Sequence, residues 1–341
     1  MVSSKPVFSS LNVAIVGSGL MGFWHTYYAL RSGVTIVAII DTDVNSAKRL
    51  VKKTQGAQAF ESITAMLAKV TPDVLHICTP IQSHHNLAKQ AINAGIHVLL
   101  EKPLFATAEE TLELTHLAQS KSLLLCPVHQ FCFQKAMHQV SSELKRLDRP
   151  LRIDFEIASA GSEALGNPSE VIKDILPHPL SILRQLWPKQ PFESDKWVIQ
   201  QYGDSELVII GRYNKILLNL HISMKARPTR CEFSLQTTTG TLHVNLFHDY
   251  LIKEAGNTSK FHKITQPLAL GFNVFFTSAI NLIRRVVTRQ PAYPGLQTLI
   301  QHFYLAVQGR EVTPVAIQDA IDIAIARDDI IKKMNASEIR V

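Results

Sequence analysis

The stretch Leu11-Asn-Val-Ala-Ile-Val-Gly-Ser-Gly-Leu-Met-Gly22 decides how this chain is read. Leu11 to Val16 form a short apolar strand, and Gly17, Gly19 and Gly22 follow it as Gly-x-Gly-x-x-Gly before a helical stretch that runs to Arg31. In that setting Gly17 permits the tight turn, Gly19 lets a pyrophosphate approach the backbone, and Gly22 lets the helix pack on the sheet. Ser18, Leu20 and Met21 complete the turn and open the helix, whose first amides can receive phosphates. Gly33 breaks the helix, and a second apolar strand, Val34 to Ile40, ends at Asp41, 19 residues beyond Gly22. A carboxylate there can hold the ribose hydroxyls of a dinucleotide. A 2'-phosphate would meet like charge at Asp41, and Thr42-Asp43 supplies no arginine, so NAD is expected over NADP. The glycine turn alone also suits FAD.

Working outward, apolar strands are expected at 74–78, 98–100 and 123–125, with helices around 43–53, 61–69, 84–94 and 107–119. Strands alternating with helices argue for a parallel sheet covered on both faces, an α/β fold. Past residue 126 the texture changes. A helix near 134–147 precedes alternating segments at 151–157, 206–211, 216–223, 230–237 and 241–247, with a hairpin at Gly240. Consecutive strands without long helices between them point to an antiparallel or mixed sheet. We therefore expect a dinucleotide-binding domain over 1–125 and a substrate-binding and oligomerisation domain over 126–341, with the last helix free to pack back on the first.

Composition narrows the class. With 46% hydrophobic and 18% charged residues among 341, the chain can build real cores and is neither disordered nor fibrous. Thirty-five Lys and Arg against 28 Asp and Glu leave a formal charge of +7, which permits an acidic partner without requiring one. Cys78, Cys126, Cys132 and Cys231 form no Cys-x-x-Cys pair, so no redox dithiol, disulfide scaffold or structural zinc is expected. Met1 to Ser10 lacks the apolar run of a secretory leader, which favours a cytoplasmic location. Ile264 to Ile283 contains no charged residue and has the length of a span, but Pro267, Asn273, Thr277, Ser278 and Asn281 interrupt it. It reads as an amphipathic helix at an interface rather than a membrane span. Between Ala255 and Gly309 lie Lys260, Lys263, Arg284, Arg285 and Arg289 and no acidic residue. No nucleic-acid motif accompanies them.

Two further segments are specific. Cys78-Thr-Pro80 precedes Gln82-Ser-His-His85, and Ala94-Gly-Ile-His-Val-Leu-Leu-Glu-Lys-Pro-Leu104 ends a strand in Glu101-Lys102-Pro103. With the glycine turn, residues 11–104 resemble the glucose-fructose oxidoreductase/inositol dehydrogenase (Gfo/Idh/MocA) family. The resemblance implies a Rossmann domain joined to an α/β domain on a large open, mostly antiparallel sheet. It also implies hydride transfer between NAD(P) and a sugar, cyclitol or related polyol, phosphorylated and nucleotide-linked forms included, in a homo-dimer or homo-tetramer.

By the same resemblance Thr79, Pro80 and His84 line the cofactor cleft, and Lys102 lies where nicotinamide and substrate meet. Glu101 positions the lysine or the nicotinamide amide. Asp174-Ile-Leu-Pro-His178 matches the segment that pairs a catalytic Asp and His four residues apart. His178 can then move the hydroxyl proton with Asp174 orienting it, because imidazole titrates near neutral pH. Lys102 can stabilise alkoxide charge. Departures from the family pattern occur at Pro127-Val-His-Gln-Phe131, where an Asn-x-Arg is usual, and at Ser169, Glu170, Leu176 and Ser181, where glycines and a further Asp are usual. Gln301-His-Phe-Tyr304 resembles the family's closing pattern, with His302 and Tyr304 either near the cleft or packing helices. Two other readings stay open: tightly bound NAD used for transient oxidation during elimination or hydrolysis, and a non-catalytic dinucleotide-binding regulator.

Overall fold

The computed structural model describes residue 8 and residues 11–159, 167–256, 259–336 and 338–339. Apart from Phe8, the Met1–Ser10 segment discussed above lies outside them. The chain divides into two compact units, Met1–His129 with Leu296–Ile325, and Gln130–Gly295 with Ala326–Val341.

The first unit holds a six-stranded, all-parallel sheet in the order β3-β2-β1-β4-β5-β6. Its strands are β1 (Asn12–Val16), β2 (Thr35–Ile40), β3 (Gln58–Phe60), β4 (Val74–Ile77), β5 (His97–Leu100) and β6 (Leu125–Pro127). The helices α1 (Leu20–Ser32), α2 (Val44–Val51), α3 (Ile63–Leu67), α4 (His84–Asn93) and α5 (Ala108–Ser120) connect them. Val13 to Val16, Val74 to Ile77 and Val98 to Leu100 are buried along their whole length, as strands covered on both faces must be. Side chains cap the helices where the sequence supplies them: Asp43 accepts from Asn45 N, Ser62 from Ala65 N and Thr107 from Glu110 N. Strand order reverses between β1 and β4, and ligands of such sheets bind beyond the carboxyl ends of the strands at that reversal.

Two strands differ from expectation: the three-residue β3 was not read from the sequence, and β6 starts late. The apolar run Leu123–Leu125 was expected to pair, yet pairing begins at Leu125 opposite Val98. Ser122 takes a positive φ of 57°, Leu123 N donates to Ala118 O, and Leu124 N donates to His97 Nδ1. Leu123 therefore closes the end of α5, and the chain first meets β5 at Leu124 O, which accepts from Val98 N at 2.8 Å.

The second unit is built on an eight-stranded, mostly antiparallel sheet in the order β13-β12-β11-β7-β10-β9-β8-β14. Its long strands are β7 (Pro150–Ala158), β9 (Glu206–Tyr213), β10 (Ile216–Ser223), β11 (Arg230–Thr237) and β12 (Gly240–Asn245). Sequence reading missed β8 (Val198–Tyr202), β13 (Tyr250–Ala255) and the two-residue β14 (Glu338–Ile339). Alternate residues face opposite ways. Ile153, Phe155, Leu218, Leu220, Phe233 and Leu235 are buried, whereas Arg152, Asp154, Asn219 and Gln236 stand on the other face. There Asp154 accepts from Arg152 Nε at 2.6 Å, Asn219 Nδ2 at 2.6 Å and Gln236 Nε2 at 3.3 Å.

The remaining helices are α6 (Lys135–Glu143), α7 (Pro168–Ile175), α8 (Pro177–Leu186), α9 (Lys260–Val287), α10 (Leu296–Val307) and α11 (Ile317–Ala336). The single helix expected at 134–147 ends four residues early, at Glu143.

Candidate functional site

In the first unit the glycine turn, the loop after β4 and the loop after β5 all leave the sheet at the reversal. Backbone bonds bind the strand ends together: Gly17 N to Ile40 O at 2.8 Å, Cys78 N to Val16 O at 2.8 Å, and Glu101 N to Ile77 O at 3.0 Å. The three glycines differ in what holds them small. A Cβ on Gly17 would lie 2.6 Å from Cys78 O, and one on Gly22 would lie 1.8 Å from Gly17 O. A Cβ on Gly19 would meet no protein atom within 4 Å. Gly17 and Gly22 are demanded by the protein's own packing, and Gly19 is not.

Gly19 is also the N-cap of α1, where no side chain caps the helix and no acidic residue occupies the first turn. The opening amides and the positive helix end thus face outward, with Leu20 exposed and Met21 half-buried beside them. Asp41 closes the other side. Its Oδ2 accepts from Ser18 N at 2.7 Å and Ser18 Oγ at 2.6 Å, and its Oδ1 accepts from Asp43 N at 2.9 Å. Burial raises the carboxyl's proton affinity, but the Ser18 hydroxyl and amide, the Asp43 amide and nearby Arg49 outweigh that and hold it below its usual range. These features fit a dinucleotide: open backbone for a pyrophosphate, a helix start for its charge and an ionised carboxylate for the ribose.

Thr79 is half-buried and accepts at Oγ1 from Ser83 Oγ at 2.7 Å, while Pro80 is exposed. His84 is buried and spans two loops, its Nε2 2.8 Å from Thr79 O and its Nδ1 3.0 Å from Pro103 O. The imidazole thereby ties the Thr79-Pro80 turn to the segment that follows Lys102.

Glu101 is buried at the end of β5. Its Oε2 accepts from Lys102 N at 3.2 Å, and its Oε1 lies 3.1 Å from His25 Nε2. His25 Nδ1 is 3.0 Å from His76 Nδ1, and His76 Nε2 is 3.1 Å from Tyr304 Oη. One set of tautomers satisfies every link: Tyr304 donates to His76, His76 donates to His25, and His25 donates to the carboxylate. Burial, and then His25, hold His76 well below the usual imidazole range, so it stays neutral. Burial, and then Cys78, push the Tyr304 phenol well up, so it stays a donor. Burial and then the Glu101 charge likewise push up the Cys78 thiol.

His129 adds a buried titratable group from the segment where the sequence departs from the family pattern. Burial lowers it to about 4; the Glu101 charge opposes this and the Lys102 charge adds to it. Sequence reading singled out neither His25 nor His76. Tyr304 takes the packing alternative, fully buried with its ring edge-on to Phe8 at 5.5 Å, while His302 pairs with Glu311 at 2.6 Å.

In the second unit Asp174 lies in the last turn of α7 and His178 in the first turn of α8, with Ile175, Leu176 and Pro177 between them. His178 is buried, its ring 4.5 Å from that of Phe131. Asp174 is half-buried and lies near enough to Arg327 for its charge to oppose the lowering that burial imposes on that guanidinium. Arg327 Nε also donates to Lys173 O at 3.1 Å. Ser181, which stands where the family pattern usually has a further Asp, turns its hydroxyl back onto His178 O at 2.9 Å.

Comparison with known proteins adds an independent finding. The profile of the oxidoreductase family with an NAD-binding Rossmann fold, Gfo/Idh/MocA, matches residues 11–129. The D-glucoside 3-dehydrogenase of Escherichia coli (strain K12) is 34% identical over 126 residues, covering 36% of each chain. An inositol 2-dehydrogenase of Corynebacterium glutamicum (strain R) is 37% identical over 112 residues, 32% of this chain and 33% of that one. The match therefore spans about a third of these relatives' length. In fold the likeness is broader. The structure of UDP-N-acetylglucosamine 3-dehydrogenase from Acidithiobacillus ferrooxidans superposes with a TM-score of 0.74 at 18% identity, over 96% of this chain and 98% of that one. The WlbA dehydrogenase from Bordetella pertussis, solved with NADH and UDP-GlcNAcA, gives 0.75 at 14% identity over 96% of each.

Proposed function

We propose, for a chain that belongs to the Gfo/Idh/MocA oxidoreductase family through residues 11–129, an NAD-dependent dehydrogenase or reductase acting on a hydroxyl or carbonyl carbon of a sugar, cyclitol or related polyol. The observation that carries the reading is the contrast among the three glycines of the turn, since of these Gly19 alone faces space that the protein leaves open. Gly17 to Gly22 receive the pyrophosphate, and Asp41, braced by Ser18, receives the adenosine ribose. The charge of Asp41 favours NAD over NADP. Thr79, Pro80 and His84 shape the wall of the same cleft.

A bound nicotinamide supplies the hydride acceptor or donor. Lys102 donates to the reacting oxygen and stabilises the negative charge that develops on it. Glu101 fixes the backbone from which Lys102 projects, with His25, His76 and Tyr304 holding the carboxylate from behind. His178 takes or returns the hydroxyl proton, and Asp174 orients it. Phosphorylated and nucleotide-linked sugars fall within the substrate class, because one relative is named for UDP-N-acetylglucosamine and the WlbA dehydrogenase was solved with UDP-GlcNAcA. The cysteines are free thiols, which suits a reducing, cytoplasmic setting, and the open polar face of the second sheet suits a homo-dimer or homo-tetramer.

Calorimetric titration of the cofactor-free protein with NAD and with NADP tests the reading. Tight NAD binding with weaker NADP binding, followed by stoichiometric NADH release on a panel of polyols, is the expected result. Binding of neither nucleotide by folded protein would sink it, and turnover without NADH release would favour transient oxidation.

A further inference from the structure

Helix α9 is built inside out. Of its 28 residues only Asn281 is buried. Phe261, Leu268, Phe272, Phe275, Ile283 and Val286 are all exposed by 62% or more. On a helical projection these residues and their apolar neighbours cover an arc of about 160°. The opposite arc is turned toward the rest of its unit; there Leu270 and Val274 line a cavity with the sheet, and polar side chains make the fixed contacts. Gln266 Nε2 donates to Glu254, Asn281 Nδ2 donates to His248 O, and Arg284 pairs with Asp249 at 2.6 Å. Asp249 is buried and also accepts from Ala136 N at 2.8 Å, so the helix is pinned in this orientation by a satisfied polar contact. The apolar stripe is therefore a designed outward face, about 40 Å long at the usual rise per residue.

Charge selects what covers it. The stripe itself carries no charge from Ile264 to Ile283, and basic residues stand at both ends: Lys260 and Lys263 at one, Arg285 and Arg289 at the other. No Asp or Glu occurs from Gly256 to Gly309. Two copies of the helix packed stripe to stripe would set basic end against basic end, whether parallel or antiparallel, with no carboxylate on the segment to relieve the repulsion. An anionic lipid surface meets both features together, the acyl boundary taking the phenylalanines and the headgroups taking the cations.

We propose that α9 lies flat on an anionic bilayer surface, seating its Phe261–Val286 stripe at the acyl boundary and holding the protein as a peripheral membrane protein. The helix does not span. Its inward face is occupied by Glu254, His248 and Asp249, and a crossing would strand those polar contacts in hydrocarbon.

The test uses the full chain and vesicles of phosphatidylcholine carrying about one-third phosphatidylglycerol, with pure phosphatidylcholine as the comparison. Flotation should recover the protein with the anionic vesicles, at least tenfold more than with the neutral ones, and recovery should fall as salt rises. The pair Phe272→Asp and Phe275→Asp should abolish recovery while leaving the melting curve unchanged, since both side chains are exposed. Lys260→Glu with Lys263→Glu should weaken it several-fold. Failure of native protein to float, equal recovery with both vesicles, or recovery that survives the double Asp variant overturns the proposal. So does self-association by sedimentation that the double Asp variant abolishes in the absence of vesicle binding, which would assign the stripe to a second copy.

Discussion

His25 Nε2 lies 3.1 Å from Glu101 Oε1, and both side chains are buried beneath the loop that carries Lys102. A strand-end carboxylate is thus anchored by a histidine from the first helix, 76 residues earlier. The anchor is itself braced by His76 and Tyr304, so a polar chain of three side chains converges on one oxygen. Linked hydrogen bonds in a dry setting polarise one another, which makes each member harder to remove than an isolated pair.

His25→Phe should cost about 1–3 kcal/mol of stability, the range for leaving a buried acceptor short of a donor. The same variant should lower kcat for dehydrogenation with little change in NAD affinity. His25→Gln, whose amide can donate to Glu101, should recover part of both. Denaturant melts and steady-state kinetics on the two variants decide the matter, and equal behaviour of Phe and Gln would refute a hydrogen-bonding role.

Gly19→Ala should fold with stability unchanged within about 0.5 kcal/mol, because the added methyl meets nothing. Its NAD affinity should nevertheless fall about tenfold or more. Gly22→Ala should behave oppositely, losing stability first, because its methyl collides with Gly17 O. A calorimetric titration paired with a melting curve separates the two.

Asp41→Ala removes the charge that opposes a 2'-phosphate and the acceptor that braces Ser18. NAD binding should weaken by about 1–2 kcal/mol, while NADP binding should weaken less or improve. An unchanged ratio of the two dissociation constants would remove Asp41 from the specificity argument.

Lys102→Met keeps the length of the stem and deletes the ammonium. Its kcat should drop about 100- to 1000-fold, with NAD affinity within a few-fold of the parent. His178→Asn should lower kcat and remove the acidic limb of the pH–rate profile. A profile that keeps that limb would mean another group carries the proton.

His129 makes stability depend on pH in a defined direction. Its folded value is lowered from 6.5 to about 4 by burial, so the unfolded chain binds the extra proton first as pH falls. The contribution is intact above the unfolded value and is lost as pH drops toward about 4, by on the order of 3 kcal/mol in total. His76, lowered by burial and then by His25, acts with the same sign. Urea midpoints measured from neutrality down to about pH 4 should fall more steeply for the parent than for His129→Gln. Identical slopes would count against the assignment.

Much of the first unit was legible because its signals are local. Leu11–Val16, the three glycines and Asp41 lie within a short span, and each has a steric or electrostatic reason visible in the residue type. The supporting network was not legible, because His25 sits on a helix, His76 on an apolar strand and Tyr304 far along the chain. Periodicity assigns such residues to a face without naming their partners. β8 was missed for a related reason: Val198 and Tyr202 are exposed on an edge-side strand, so apolar residues fail to mark the buried face; in β13 the adjacent Leu251 and Ile252 are both buried, which breaks the alternation. Helix α9 was legible as amphipathic, but which way its stripe points depends on Asp249 and Glu254, residues outside it.

The contact between His76 and Tyr304 joins positions 228 residues apart in the chain. During synthesis the first unit emerges from the ribosome with its sheet strands complete but with α10 still unmade. Phe8 and His76 must wait for Tyr304 until nine-tenths of the polypeptide exists. A nascent chain halted before residue 296 would therefore hold an exposed socket rather than a finished domain, an opening that chaperones recognise and proteases exploit. Maturation of the nucleotide-binding unit is in this way timed by the arrival of its own last segment, Leu296–Ile325.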